Sequence, residues 1–188
     1  MRIVGGRLRG LTLADVGAGD AAAHLRPTAD RVRESLFNLL AARGDTPLDG
    51  VRVLDLFAGT GALGLEALSR GAAHVTFVDD GATARALIRE NVQRARAQGQ
   101  CKIWRRDATQ LGAIRDAPYD LVFLDPPYGQ GLGQSAMISA LAGGWLAPGA
   151  TLVWEEGAAE PPPPGFAVLD SRRYGDTWLT LLRAPASA

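Results

Sequence analysis

Short apolar runs of strand length alternate with segments of helical spacing along most of the chain. The runs that predict strands cover residues 51–57, 75–78, 101–105, 119–124 and 151–155. Helical spacing occurs at residues 65–70, 83–97 and 133–141, and Ala86, Leu87 and Ala95 mark the inner face of the second of these helices. Strands that alternate with helices predict βαβ units and a parallel sheet. Two last runs, 166–171 and 177–182, flank Tyr174-Gly175-Asp176 and predict a hairpin.

The first 45 residues have a different pattern. Residues 3–13 alternate apolar and basic side chains around glycines, which predicts a small two-stranded β unit, and residues 14–24 predict a flexible loop. An amphipathic helix follows, with Thr28 as its N-cap, Val32, Leu36, Leu39 and Leu40 on one face, and Gly44 at its end. Arg26, Arg31 and Arg33 cluster near its start, where a phosphate fits the free backbone N–H groups. The alternative is that these arginines are solvated or paired with acids.

A glycine-rich turn joins the first two predicted strands of the sheet. The strand at 51–57 leads into Ala58-Gly59-Thr60-Gly61-Ala62-Leu63-Gly64 and a helix, and the next strand ends at Asp79. Gly59 and Gly61 let the backbone approach a ligand, and Asp79 can accept both hydroxyls of a ribose. This pattern also fits a dinucleotide site. Asp55, just before the glycines, would repel a pyrophosphate but can bind an ammonium, which favours S-adenosylmethionine.

The end of the fourth predicted strand carries Asp125-Pro126-Pro127-Tyr128. The prolines stop the strand, so a carboxylate, the Pro126 carbonyl and an aromatic ring are presented where parallel sheets bind ligands. Asp125 and Pro126 can accept the hydrogens of an exocyclic amine while its base stacks on Tyr128. The alternative is an ordinary turn. Asp107, after the third strand, can accept an adenine amine or cap a helix.

Composition limits the classes of protein. The chain has 188 residues, no apolar run long enough to span a bilayer and a single cysteine, which predicts a cytoplasmic, metal-free protein without internal disulfides. Formal net charge is zero, yet residues 1–43 carry seven arginines against four acids. The excess of positive charge is therefore confined to the first quarter of the chain.

The motifs together resemble those of class I S-adenosylmethionine-dependent methyltransferases. The chain is most similar to the RsmD family, the bacterial 16S ribosomal RNA guanine-N2 methyltransferases. The resemblance covers nearly the whole chain. It rests on Arg2-Ile3-Val4-Gly5-Gly6, Arg26-Pro27-Thr28 and the helix after it, Asp55-Leu56-Phe57-Ala58-Gly59-Thr60-Gly61, Asp125-Pro126-Pro127-Tyr128 and Tyr174-Gly175-Asp176-Thr177.

The resemblance implies an α/β, Rossmann-like, seven-stranded, mostly parallel sheet with helices on both faces. It also implies a small N-terminal hairpin and helix extension, residues 1–45, that contacts RNA, ahead of a methyltransferase domain, residues 46–188. The implied catalytic residues are Asp125, Pro126 and Tyr128. Those implied for the cofactor are Asp55, Phe57, Gly59, Thr60, Gly61, Asp79, Asp107 and Ala108, and those for RNA are Arg2, Arg7, Arg9, Arg26, Thr28, Arg31 and Arg33. Residues 14–24 depart from the family pattern, because they lack basic side chains.

The implied reaction is methyl transfer from S-adenosylmethionine to N2 of a guanine in 16S rRNA, within a partly or fully assembled small subunit, by a monomeric enzyme. Methylation of adenine N6 or of a protein glutamine is the alternative within the class, although those relatives more often have Asn before the two prolines. A dehydrogenase or a non-catalytic RNA-binding module is the alternative outside it. Neither explains the order of all the motifs.

Overall fold

The computed structural model describes residues 1–15 and 29–186. Its sheet has seven strands, and four helices pack on it. The strands are β1 (Arg52–Leu56), β2 (His74–Val78), β3 (Cys101–Trp104), β4 (Tyr119–Leu124), β5 (Leu146–Glu156), β6 (Ala167–Tyr174) and β7 (Thr177–Arg183), and the helices are α1 (Asp30–Arg43), α2 (Ala62–Ser69), α3 (Ala82–Arg94) and α4 (Leu132–Ala142).

The strand order is β3-β2-β1-β4-β5-β7-β6. β1 to β5 pair in parallel, and β7 lies antiparallel between β5 and β6. The edge strand β6 has an irregularity between Val168 and Asp170, where Leu169 is left out of the register. The predicted mostly parallel, seven-stranded α/β fold is confirmed.

Helices cover both faces of the sheet because successive side chains of a buried strand point to opposite sides. In β1, Val53 belongs to the hydrophobic cluster that α1, α2 and α3 contact, and Leu54 belongs to the cluster under α4. In β4, Leu121 and Val122 divide between the two clusters in the same way. The sheet is therefore buried on both sides, as a parallel sheet requires.

The N-terminal segment lies along α2 and is less regular than predicted. Instead of two strands it has one antiparallel bridge, Arg2 to Thr12, flanked by backbone hydrogen bonds from Ile3 to Leu11 and from Leu13 to Met1. The same segment also bonds to α2. The Val4 and Gly5 N–H groups donate to the two carboxylate oxygens of Glu66, at 2.9 and 2.8 Å. Ile3 is buried in the same cluster as the strands. The predicted division near residue 45 remains a prediction.

Helix α1 begins at Asp30 with Ala29 at the N-cap position and ends at Gly44 in the left-handed conformation. The predicted N-cap, Thr28, is therefore wrong by one residue. Thr28 itself, Arg26 and most of the predicted loop lie outside the described residues. Among the described residues, every helix is too short or too polar to cross a bilayer.

Candidate active site

The predicted ligand-binding groups meet at the carboxyl edge of the sheet. The strand order places Asp107 after β3, Asp79 after β2, the glycine turn after β1 and Asp125 after β4, in that sequence along the edge. Neighbouring strands lie about 4.8 Å apart, so the row from Asp107 to Asp125 covers roughly 15 Å. This length and order suit an elongated ligand that runs from β3 towards β4.

The glycine turn after β1 has a backbone that most residues avoid. Phe57, Gly59 and Gly61 have φ values of 57°, 57° and 78°. A Cβ on Gly61 would lie 3.1 Å from Cε1 of Phe77, so a side chain there would be both strained and crowded. The Gly61 N–H donates to the Ala58 carbonyl at 2.7 Å and closes the turn. The turn therefore depends on glycine at position 61, where the backbone packs closely against Phe77.

Asp55 is buried behind this turn, with 1% of its surface exposed. Its Oδ2 accepts a hydrogen bond of 2.9 Å from the Gly64 N–H, in the first turn of α2. Burial raises the pKa of Asp55 to about 8, and the negative charge of Asp79 acts in the same direction. A neighbouring cation would favour the ionised form, so the site is suited to a positively charged ligand group.

Asp79 spans the gap between the glycine turn and the start of α3. Its two carboxylate oxygens accept from the Gly59 N–H at 3.0 Å and from the Gly81 N–H at 2.8 Å. Burial raises its pKa, while these two hydrogen bonds oppose the rise. Each oxygen keeps acceptor capacity, which fits the predicted contact with ribose hydroxyls.

Asp107 is exposed and caps the short 3₁₀ helix Ala108–Gln110. Its Oδ1 accepts from the Thr109 N–H at 2.8 Å and from the Thr109 hydroxyl at 2.7 Å. Ala108 is buried against the sheet. The capping alternative is therefore what the geometry shows, and contact with adenine remains a prediction.

The Asp125–Tyr128 turn lies directly beside the glycine turn because Leu124 pairs with Leu56 in the sheet. Asp125 is half-buried, Pro126 is buried and Tyr128 is half-buried. The Tyr128 hydroxyl donates to Oε1 of Glu155 at 2.8 Å and lies 3.1 Å from Oγ1 of Thr177. Burial raises the pKa of Tyr128 and the Glu155 charge adds to it, so the phenol stays protonated near neutral pH.

Four residues at this edge were not among the predicted site residues. Glu155 and Glu156 end β5, Thr177 begins β7, and Asn91 of α3 donates to the Thr60 carbonyl at 2.9 Å. An acid at the end of a buried strand is the signal that identified Asp79 after β2. The same signal could have identified Glu155 and Glu156 at the end of β5. Thr177 belongs to the Tyr174-Gly175-Asp176-Thr177 motif, which was assigned no role from the sequence, and no local pattern marks Asn91.

The predicted RNA-binding arginines do not form one group. Arg2, Arg7, Arg9 and Arg31 are exposed, whereas the side chain of Arg33 is fully buried. Arg33 is bonded to Asp30 and to the Arg2 carbonyl, and it lies 3.8 Å from Glu66. The prediction that Arg33 contacts RNA is therefore wrong, because this side chain is used inside the protein.

The exposed arginines lie at two ends of α2. The Met1 sulfur is 3.9 Å from the Thr60 hydroxyl, and the Arg2 N–H is 3.5 Å from the Asp30 carboxylate, so Arg2 and Arg31 lie on the side of the glycine turn. The Arg7 N–H donates to the Ser69 carbonyl at the far end of α2. Of the described arginines assigned to RNA, Arg2 and Arg31 therefore lie at the glycine-turn end of α2, and Arg7 lies at its other end.

Comparison with known proteins gives a consistent result. A model of the family described as Conserved hypothetical protein 95 matches residues 1–183. Ribosomal RNA small subunit methyltransferase D of Escherichia coli (strain K12) is 40% identical over 161 residues, which are 85% of this chain and 76% of the relative. The solved structure of yhhF from Escherichia coli matches with a TM-score of 0.82 and 33% identity, over 100% of this chain and 99% of that one.

A more distant structure shares the fold. Magnesium protoporphyrin IX methyltransferase (ChlM) from Synechocystis PCC 6803, solved with bound S-adenosylmethionine, matches with a TM-score of 0.64 and 19% identity, over 97% of this chain and 88% of that one. The fold, the site and these relatives define an enzyme of the Rossmann-like methyltransferase class. Within that class, the chain belongs to the family described as Conserved hypothetical protein 95.

Proposed function

We propose that this enzyme transfers a methyl group from S-adenosylmethionine to the exocyclic N2 amine of a guanine in 16S rRNA. The observation that carries the proposal is the pairing of Leu56 with Leu124, which sets the turn holding Asp125, Pro126 and Tyr128 next to the glycine turn. Its relative in Escherichia coli, named as a small subunit ribosomal RNA methyltransferase, supports this class of substrate.

The residues at the edge fit S-adenosylmethionine. Asp55 suits the ammonium of its methionine part, Gly59 and Gly61 allow close approach of the backbone, and Asp79 suits its ribose hydroxyls. Asp107 is assigned to the adenine, and Phe57, Thr60 and Ala108 are assigned to the same cofactor-binding site. The cofactor supplies a methyl group that is activated by a positively charged sulfur.

The Asp125–Tyr128 turn holds and orients the amine that accepts the methyl group. The N2 nitrogen of guanine is a weak nucleophile because its lone pair is delocalised into the ring. Asp125 and the Pro126 carbonyl accept its two hydrogens, which raises the electron density on nitrogen and fixes its direction. Tyr128 stacks on the base. After transfer Asp125 takes the proton that the nitrogen loses, so no metal or covalent intermediate is required.

The proposed substrate is the small subunit in a partly or fully assembled state. A chain of zero net charge has weak long-range attraction for free RNA, so recognition relies on a local basic surface and on shape. The positions assigned to this surface are Arg2, Arg7, Arg9, Arg26, Thr28 and Arg31. We expect a monomer that acts in the cytoplasm, where ribosomes are assembled.

The test is methyl transfer from labelled S-adenosylmethionine to small-subunit particles that lack native methylation, followed by nucleoside analysis of the 16S rRNA. N2-methylguanosine is the expected product. Label in N6-methyladenosine or in protein would agree with S-adenosylmethionine as the cofactor and contradict guanine N2 as the target. No label on any component would contradict the proposed activity.

Asp125→Ala should lower kcat by at least about 100-fold, because it removes a group that stabilises the transition state, and should leave cofactor binding within twofold. Asp120→Ala provides a matched control, since Asp120 is an exposed acid of the same strand at its opposite end. Full activity of Asp125→Ala would refute the role of this carboxylate.

A further inference from the structure

The turn proposed to bind the target base is hydrogen-bonded to two buried glutamates. Glu155 accepts the Tyr128 hydroxyl at 2.8 Å, and Oε1 of Glu156 accepts the Gly129 N–H at 3.0 Å. The same Glu156 oxygen accepts the Gly157 N–H at 2.9 Å. Only 6% of Glu155 and 4% of Glu156 is exposed. Burying a carboxylate costs several kcal/mol unless hydrogen bonds and packing offset it.

The Tyr128 hydroxyl makes two hydrogen bonds. It has one hydrogen, which it donates to Glu155. Its oxygen can then only accept from Thr177, whose Oγ1 lies 3.1 Å away. Glu155 and Thr177 come from adjacent strands, β5 and β7, so the end of the ring is fixed between two rigid elements.

The ring of Tyr128 also rests against backbone. A Cβ on Gly157 would lie 2.9 Å from Cδ2 of Tyr128 and 3.3 Å from its Cβ and Cγ. Only glycine at this position lets the backbone approach the ring so closely. Because Tyr128 is only half-buried, part of the ring stays accessible to a stacking partner.

We propose that Glu155, Glu156, Thr177 and Gly157 are positioning residues for the methyl-accepting base. They act through Tyr128 and Gly129 and set the orientation of the aromatic ring before the base arrives. The inference rests on the proposed function, since it names the support of the same base-binding turn. Displacement of a positioned group by about 1 Å can cost as much as about 100-fold in rate, so such a support has a direct effect on turnover.

Matched variants test the support through activity. Thr177→Val removes the hydroxyl and keeps the shape, whereas Thr177→Ser keeps the hydroxyl. Glu155→Leu removes the acceptor, whereas Glu155→Gln keeps an acceptor oxygen. We expect the first member of each pair to lower kcat/KM for methylation of small-subunit particles about tenfold, and the second member to retain most of it. The Kd for S-adenosylmethionine should stay within twofold in all four.

A general loss of stability would not give this result, because it would affect cofactor binding and would not be restored by the conservative variants. Ser171→Ala is the control. It removes another hydroxyl contact of the β6–β7 hairpin, 3.2 Å from Thr180, away from the turn. The inference is overturned if Thr177→Val and Glu155→Leu both keep kcat/KM within twofold of the wild-type value.

An NMR measurement tests the support without RNA. The chain has three tyrosines, so ¹³Cζ-labelled tyrosine gives few signals, and Tyr128→Phe identifies the one of interest. This signal should move in Glu155→Leu and Thr177→Val and stay in place in Ser171→Ala. An unchanged signal in both variants would contradict the inference that Glu155 and Thr177 position Tyr128. If the wild-type enzyme methylates no RNA, the proposed function fails while this measurement still decides the inference.

Discussion

At the scale of single residues, Asp55 is the most unusual group of the proposed cofactor site. Burial raises its pKa to about 8, so the protonated form predominates at pH 7 when no ligand is bound. A cationic ligand group beside it would favour the carboxylate. Binding of the cofactor is therefore expected to be coupled to loss of a proton from the protein.

We predict that binding of S-adenosylmethionine at pH 7 releases close to one proton. Calorimetric titration in buffers of different ionisation enthalpy measures this number directly. Asp55→Asn should bind the cofactor more weakly and release almost none. Equal proton release by the two proteins would show that another group is responsible.

The same residue makes the stability of the cofactor-free protein depend on pH. Asp55 ionises near its ordinary value of 3.8 in the unfolded chain and near 8 in the folded chain. The folded state thus holds the extra proton between these values, and its stabilising contribution is lost as the pH rises from about 4 to about 8. In urea titrations, the free energy of unfolding of the wild-type protein should fall relative to that of Asp55→Asn across this range. A constant difference between the two would contradict the assignment.

At the scale of elements, α2 connects the glycine turn to the N-terminal segment. Its Glu66 is fully buried, accepts the Val4 and Gly5 N–H groups, and pairs with Arg70 at 2.9 Å and Arg33 at 3.8 Å. The Glu66 carboxylate therefore contacts Val4, Gly5 and Arg33, which are all distant from it in sequence. The N-terminal segment is held against the helix that begins at the glycine turn.

We predict that Glu66→Ala destabilises the protein by about 3–5 kcal/mol, because it leaves the Val4 and Gly5 N–H groups without their acceptor and removes the carboxylate that compensates the buried charge of Arg33. Urea unfolding of the cofactor-free protein measures the effect. Glu90→Ala is the matched control, since Glu90 forms the same kind of helical pair with Arg94 but is half-exposed. It should cost no more than about 0.5 kcal/mol. Similar losses for both variants would show that the Glu66 network has no special role.

Most elements could be predicted from the sequence because their signals are local. The strands before Asp79 and Asp125 are apolar runs stopped by an acid or by proline, and the structure has them there. The predicted inner face of the helix at residues 83–97 was right at Ala95, which is buried, and wrong at Ala86, which is exposed. Leu87 is half-buried, and the buried side chains of α3 include Ala84, Ile88 and Val92. Leu87 and Ile88 are adjacent in this helix, so the hydrophobic pattern alone does not decide which of the two faces the core.

The parts of the site that were missed depend on contacts between distant segments. Thr177 reaches Tyr128 only because β7 inserts between β5 and β6, which no local pattern indicates. Arg33 differs, since it stands three, four and seven residues before Leu36, Phe37 and Leu40, at the spacing of the buried face of α1. The spacing was available, and so was an acidic partner, Asp30, three residues before Arg33; the second acid near Arg33, Glu66, is far away in sequence, and without it a charged residue is seldom buried so fully.

At the scale of the whole molecule, charge is divided between two regions. Acidic side chains lie along the carboxyl edge of the sheet, at Asp55, Asp79, Asp107, Asp125 and Glu155, and Arg85 beside them donates to the Asp79 carbonyl. The exposed arginines of residues 1–15 and of α1 lie beside or beyond this edge. We expect this arrangement to favour a cationic cofactor at the edge and RNA phosphates beside these arginines.

We predict that Arg31→Glu raises the KM for small-subunit particles about tenfold at moderate salt and leaves kcat nearly unchanged, because Arg31 lies near the cofactor edge. Arg7→Glu serves as the comparison, since Arg7 is equally charged but lies at the far end of α2. Its KM should change less than about threefold. Steady-state kinetics on the same particles checks both, and a larger effect at Arg7 would place the RNA contact at the opposite end of the molecule.

The irregularity in β6 has a consequence for the behaviour of the protein at high concentration. A sheet edge with free backbone groups can pair with the edge of another copy and start aggregation. Here one edge strand, β3, has only four residues and carries the exposed Lys102. The other, β6, is interrupted at Leu169 and carries exposed Arg172 and Arg173. Neither edge offers a long, flat and uncharged strand, so one extra residue in β6 helps protect the concentrated protein from edge-to-edge association.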